Sequence, residues 1–474
     1  MSWRHPIRTV RNRGSLRSLS RWLFLAVLGV APWFYGGTTA WAIEFTTGML
    51  GLVLVIWIAS LLVDRRWPLV PRGLAVLVGL VLIHGWWMVI NARAVYDDAF
   101  RFFVPVAPLL SSVAGSADYV LSFAFMLRVT ALAGAILLVA EMAQRSRWLV
   151  RLWYSIAVSG SSIALLGIVQ KASGAKMVFW QPPVWPPIGT FFGTFVYHGN
   201  AGAFLNLALP AIVGLTCWLI ARNAHPVARA LLAGTTVIVA VAIFSNTSRV
   251  AQAIGAALII VLVATTARPF ILRTWRLEGR TFFVVVAVVG IALFAVAQAA
   301  RLDEPLGRWQ QFSKHLQIDE RWVANRAALS AIGDAGTLGF GPGVFRAIFP
   351  HYQQALANEL HGTWRFLHDD YLQTLLEWGW LGSALLAGLF FGGLGIAIRS
   401  YLKADDWSTR QRFMLFGCIL GVAGVAIHAA VDFPLQILSI QLLVATYLGV
   451  CWGSSRWERS EVGGRRSEVG TDSQ

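Results

Sequence analysis

Long apolar stretches separated by polar loops repeat along nearly the whole of this chain. A helix that crosses a bilayer needs about 20 mostly apolar residues. About twelve segments come close to that length: 22–37, 43–63, 72–90, 120–141, 149–169, 199–220, 227–245, 250–267, 281–299, 378–398, 412–431 and 436–453. The first is short, and the fourth carries Arg128 in its interior. Between them most loops are brief. Three longer ones, near 91–119, 170–198 and 300–377, fall on one side of the predicted membrane. The second, with FWQPPVWPPIGTFFGTF, reads as an ordered rim or lid rich in proline and aromatic residues. Within the third, residues 320–333 fit a helix with Asp319 as N-cap. The glycine-rich run 336–343 follows as tight turns, then VFRAIFPHYQQAL as a second helical stretch interrupted by Pro350. No strand precedes those glycines, which argues against a phosphate cradle. The tail from about 454 is polar and predicted to be disordered.

Composition agrees with the pattern. Of 474 residues, 57% are hydrophobic and 13% charged, a profile that excludes an ordinary soluble domain. The net charge of +16 could suggest nucleic acid, but its placement decides otherwise. With the N-terminus in the cytoplasm and twelve alternating helices, every short cytoplasmic segment is basic: Arg4 to Arg21, Arg65 to Arg72, Arg145 to Arg151, Arg222 and Arg229, Arg268 to Arg280, Arg399 to Arg412, and Arg456 to Arg466. That is the positive-inside rule, and it leaves nothing to support a nucleic-acid partner. Residues 1–36 with Ala40-Trp41-Ala42 imitate a cleaved signal, but a second apolar segment follows at once, so a retained first helix is expected. Cys217, Cys418 and Cys451 all fall in predicted membrane helices, as small packing residues rather than disulfide partners or metal ligands. The expected layout is a basic cytoplasmic terminus (1–21), nine membrane helices (22–299), a large partly helical outer loop (300–377), three further helices (378–453) and a cytoplasmic tail (454–474).

The polar residues suited to chemistry crowd the outer side. His368-Asp369-Asp370-Tyr371 stands where the large loop meets the tenth apolar segment. Histidine titrates nearest neutrality, so it is the usual candidate for proton transfer. Arg249 breaks the positive-inside pattern, and a guanidinium can grip a phosphate bidentately without ever losing its proton. Arg321 and Arg326 lie in the loop helix and are five residues apart, hence on different faces. His198, His351, His361 and His428 also lie on or near this side, with no spacing that suits a metal. His428 and Asp432, one helical turn apart, suggest a structural hydrogen bond.

Taken together these motifs resemble the O-antigen ligase and O-antigen polymerase superfamily of bacterial membrane glycosyltransferases, over about residues 22–452. The most specific part is His368-Asp369, the nine residues DYLQTLLEW, then Gly379-Trp380-Leu381-Gly382. GTFVYHGNAGAFLNLALP (193–210), Ser248-Arg249, the run from Arg321 through Asp334 to GFGPGVF, and HAAVDFPLQI are similar too. The resemblance implies an all-α polytopic protein of the bacterial inner membrane with both termini cytoplasmic and a periplasmic active site. It implies a glycan donor linked through diphosphate to undecaprenol, and inverting transfer without metal or other cofactor. His368 would be the base, Arg249 and Arg321 would hold the diphosphate, and Arg326, Asp369, Asp370, Tyr371 and His198 would be candidate substrate contacts. Asp369 departs from the family pattern, where an uncharged Asn, Ser or Gln is common; an adjacent carboxylate would favour a protonated His368. The acceptor hydroxyl, on a glycan, on lipid A–core or on a protein, separates polymerase, ligase and protein-modifying variants in lipopolysaccharide or exopolysaccharide synthesis. The competing reading is a transporter or flippase, for which twelve helices are suited. It calls for paired mid-membrane charges and matching halves, whereas only Arg128 and Glu44 stand out and no halves match.

Overall fold

The computed structural model describes residues 15–97, 99–100, 102–182, 190–267, 309, 320–403 and 407–457. Among these residues thirteen α-helices form: α1 (Ser15–Val30), α2 (Ala40–Val63), α3 (Arg72–Ile90), α4 (Tyr119–Met142), α5 (Ser146–Ala172), α6 (His198–Ala221), α7 (Pro226–Ser245), α8 (Arg249–Leu262), α9 (Glu320–Ala335), α10 (Phe345–Gln354), α11 (Asp370–Leu402), α12 (Thr409–Ala429) and α13 (Leu438–Gly453). Nine of them are long and apolar enough to cross a membrane. The chain is an all-α polytopic membrane protein, as its apolar periodicity predicts. The ninth apolar segment, 281–299, and the proposed cap Asp319 lie outside the described residues.

Several boundaries differ from the sequence reading for identifiable reasons. The first helix ends at Val30 because Pro32 and the positive-φ pair Gly36-Gly37 turn the chain into two short 3₁₀ turns. The eighth apolar stretch is helical as far as Leu262 and then loosens into a π turn at Val263–Ala267. Pro350 does not interrupt α10, which runs through it. The loop after α3 carries a two-stranded antiparallel hairpin, β1 (Ala94–Asp97) and β2 (Phe102–Pro105), which the apolar pattern did not announce.

α6 and α13 are apolar on every side and buried along most of their length, so they form the centre of the bundle. Small residues let the neighbours close on them. A side chain on Gly214 would meet the carbonyl of Phe413, one on Gly417 that of Pro210, and one on Gly449 that of Ile136. This is the close backbone approach that associates helices in lipid, where apolar burial alone provides no drive. Tyr447 stacks on Trp153 and donates to the carbonyl of Leu207 at 2.6 Å, so its one polar atom is satisfied. At the end that the charge pattern assigns to the cytoplasm, fully buried Glu141 accepts from Arg17 (3.0 Å), Arg21 (2.9 Å), Arg66 (3.1 Å) and the indole of Trp57 (3.3 Å). Arg128 is also buried. It lies over the ring of Phe125 at 4.4 Å and reaches the Gln436 carbonyl at 3.4 Å, which is how α4 tolerates a charge.

Candidate functional site

One glycine sets the position of the histidine segment. α11 is broken at Gly379, whose φ of 61° separates a short outer helix, 370–378, from the apolar run beyond it. The glycine-rich loop packs into that break: Phe340 N donates to Leu376 O, Gly341 N to Glu377 O and Leu381 N to Thr337 O, at 3.1, 2.9 and 3.0 Å. The loop thus clamps backbone to backbone, which only residues without Cβ permit at this separation. Asp369 caps the short helix, accepting from Tyr371 N and Leu372 N at 3.0 Å each. Gln373 accepts from Leu367 N at 2.9 Å, so the residues on both sides of His368 are tied down.

His368 points its Nδ1 at Asp432 Oδ1, 2.9 Å away, across 64 residues of chain. Asp432 lies in the turn between α12 and α13, almost wholly buried, and its second oxygen accepts from the Tyr197 hydroxyl at 3.1 Å. The Arg321 guanidinium donates to that same hydroxyl at 3.3 Å. Four side chains from distant parts of the sequence therefore form one connected line: Arg321, Tyr197, Asp432, His368. Burial alone would push the Asp432 carboxyl up. Hydrogen bonding from His368, together with the charge of His368 and His428, outweighs that and holds it well below the usual carboxylate range. Burial and the nearby Asp432 charge raise the Tyr197 phenol, so it stays a donor. The rings of Phe433, Trp364 and Tyr197 enclose the imidazole at centroid distances of 4.8, 5.7 and 6.1 Å. A neutral His368 that gives its Nδ1–H to the carboxylate carries its lone pair on Nε2, the tautomer a general base requires.

The other candidate residues divide clearly. Arg249 opens α8 directly after its N-cap Ser248, half-buried. The turn before it is tied to the start of α6 by Asn246 donating to the His198 carbonyl at 2.8 Å. That brings the Arg249 turn to the end of the bundle where Tyr197 stands. His198 itself bonds Thr190, through both its hydroxyl and its carbonyl, and its ring lies 4.7 Å from that of Tyr197. Arg326 is exposed and paired with Glu359 at 2.8 Å on another face of α9. Asp370 is buried and accepts from Leu435 N and Gln436 Nε2 at 2.8 and 2.9 Å, stapling the histidine segment to the turn that carries Asp432. The Tyr371 hydroxyl donates to the Ala426 carbonyl at 2.7 Å. Asp369, Asp370 and Tyr371 thus serve the frame. The expected His428–Asp432 hydrogen bond is replaced: His428 Nε2 stands 3.8 Å from Asp432 Oδ2, too far for a bond, and Asp432 is taken by His368 and Tyr197.

Asp432 and Tyr197 were not identified as partners of His368 from sequence. Both lie within motifs visible there, HAAVDFPLQI and VYHGN, but nothing local links them to a histidine 64 and 171 positions away. Beside the histidine segment, α3, α4, α11 and α13 enclose an apolar cavity of about 360 Å³, with Asp370, Tyr371 and Gln436 among its lining.

A polytopic helical membrane protein with a half-buried histidine paired to a buried carboxylate, and an arginine at one end of the line, is the class defined so far. Residues 234–387 match the family model described as O-antigen ligase. That segment runs from within α7 into α11 and contains Arg249, Arg321 and His368. The match covers about a third of the chain and supports the resemblance of its motifs to the O-antigen ligase and polymerase superfamily, which implies a glycosyl-transferring role of ligase or polymerase type on lipid-linked glycans. No curated protein matches the chain.

Proposed function

We propose that the protein transfers a glycan from an undecaprenyl-diphosphate-linked donor to an acceptor hydroxyl at the periplasmic membrane face. The single observation that carries this reading is the His368–Asp432 pair, linked through Tyr197 to Arg321. His368 Nε2 takes the proton of the acceptor hydroxyl as its oxygen attacks the anomeric carbon. The bond from that carbon to the diphosphate oxygen breaks, and the lipid diphosphate leaves with the bonding pair. Attack from the face opposite the leaving group inverts the anomeric centre. Asp432 fixes the imidazole and stabilises the imidazolium that forms. Arg249 and Arg321 stand against the charge developing on the diphosphate, where preorganised cations act most strongly. A positioned base contributes about 10²–10⁴ in rate. The apolar cavity beside Asp370 offers hydrocarbon a place near the reacting centre.

The carrier reading has no observation in its favour of equal weight. The family match and the pairing of a base with a buried carboxylate both support an enzyme. The test is a gel of surface and lipid-linked glycans from the native host lacking this gene, complemented with wild type or His368→Ala. Single repeat units capping the core would identify a polymerase; long chains stranded on the lipid carrier would identify a ligase. Normal glycans with His368→Ala would overturn the assignment of the base.

A further inference from the structure

A second feature lies at the other end of the bundle. α1 and α5 leave between them a groove of about 670 Å³ on the outside of the protein. Its walls include Leu25, Ala26, Val30, Tyr154 and Val158, with Arg151 at one end. Trp22, Val30, Tyr154 and Val158 are exposed. Gly29 keeps the floor low: a side chain there would press on the Ser155 hydroxyl at 3.3 Å. From Arg151 to Ser162, the groove follows α5 for about 16 Å at 1.5 Å per residue. Half of a hydrocarbon core is about 15 Å. The groove therefore has the length of one acyl chain in one leaflet.

Its charged end is built for an anion. The Arg151 guanidinium carbon lies 4.5 Å from the ring of Trp22 and 4.5 Å from that of Trp148. Arg21 covers Trp148 at 5.3 Å. Two tryptophans and two arginines at one level mark a membrane interface. Arg145 and Arg147, on the preceding turn, are exposed. Among the described residues no carboxylate forms an ion pair with Arg151, while Glu141, close by in the fold, is engaged by Arg17, Arg21 and Arg66. The aromatic rings hold Arg151 in place without neutralising it.

We infer that this groove binds one anionic phospholipid, its phosphate on Arg151 and one acyl chain along α1 and α5. The leaflet is the cytoplasmic one, on the positive-inside reading of the topology. That is also the leaflet whose anionic lipids attract basic juxtamembrane segments. The site is independent of the glycan-transferring centre and stands or falls without it.

Native mass spectrometry of the purified full-length protein, titrated with equal amounts of phosphatidylglycerol and phosphatidylethanolamine, tests this. Wild type should retain phosphatidylglycerol over phosphatidylethanolamine by about fivefold, the effect of one arginine at a membrane surface. Arg151→Gln should bring that ratio to about one while lipid of either kind still binds. Ala26→Trp, at an exposed position, should block the groove and lower retention of both lipids with an unchanged elution volume. Equal retention of the two lipids by wild type, an unchanged ratio in Arg151→Gln, or a protein dimer that Ala26→Trp disrupts would each overturn the inference.

Discussion

Asp432→Asn is the sharpest probe of the candidate site, because it removes one charge and almost no volume. Asp432 Oδ1 lies 2.9 Å from His368 Nδ1, and the carboxylate is nearly inaccessible to water. A hydrogen bond to a charged group contributes about 1.5–3 kcal/mol. Loss of that amount from the transition state alone lowers the rate about 10- to 150-fold. The amide adds a second penalty. It can present its NH₂ to Nδ1, which selects the tautomer with the proton on Nε2 and removes the base. In the serine-protease triad the corresponding Asp→Asn substitution lowers turnover about 10⁴-fold for this reason. The expected outcome here is therefore a loss of between about 10² and 10⁴ in transfer rate. The assay is single-turnover transfer from a labelled lipid-diphosphate donor by protein in detergent, with size-exclusion profile and membrane yield as controls for folding. Donor binding should change far less than the rate, since Asp432 is linked to Arg321 through the Tyr197 hydroxyl. A variant within about threefold of wild type would refute the reasoning that Asp432 sets the state of His368.

Three further outcomes follow from the same structure. Gly379→Ala should collapse the yield of folded protein, measured by fluorescence-detected size exclusion, because a Cβ there would lie 2.4 Å from Gly339 N at a φ of 61°. Arg326→Ala should leave transfer intact and alter stability by no more than about 1 kcal/mol in a thermal-shift assay, since its pair with Glu359 is exposed. Glu141→Ala should destabilise the protein by about 3 kcal/mol or more in the same assay, because it strands three arginines around a buried vacancy.

The sequence alone carried a long way in the parts of the problem that are local. Residues 72–90 and 199–220 are readable as membrane helices because a spanning segment must satisfy its own backbone and be apolar along its length, which any window of the chain reveals. His368 was legible for the same kind of reason: a titratable residue at a membrane boundary stands out against an apolar background. Arg249 stood out as a charge on the wrong side. Where a contact was not legible, the deciding partner was distant. Asp370 stood out as a candidate substrate contact, but nothing local showed that its two oxygens accept from Leu435 and Gln436. His428 looked like the partner of Asp432 because the two are one turn apart, yet the turn after Ala429 aims the carboxylate at His368 instead.

Hydrophobic periodicity, charge asymmetry and a short motif thus determined that this chain is a multi-pass helical membrane protein with its candidate chemistry on one face. These are properties of the chain's dealings with lipid and water, and each residue declares them on its own. Which carboxylate meets His368, which hydroxyl relays to Arg321 and which glycines let the clamp close were decided only by tertiary structure. Each depends on two backbones brought within a few ångströms by packing elsewhere, and no local pattern encodes that distance.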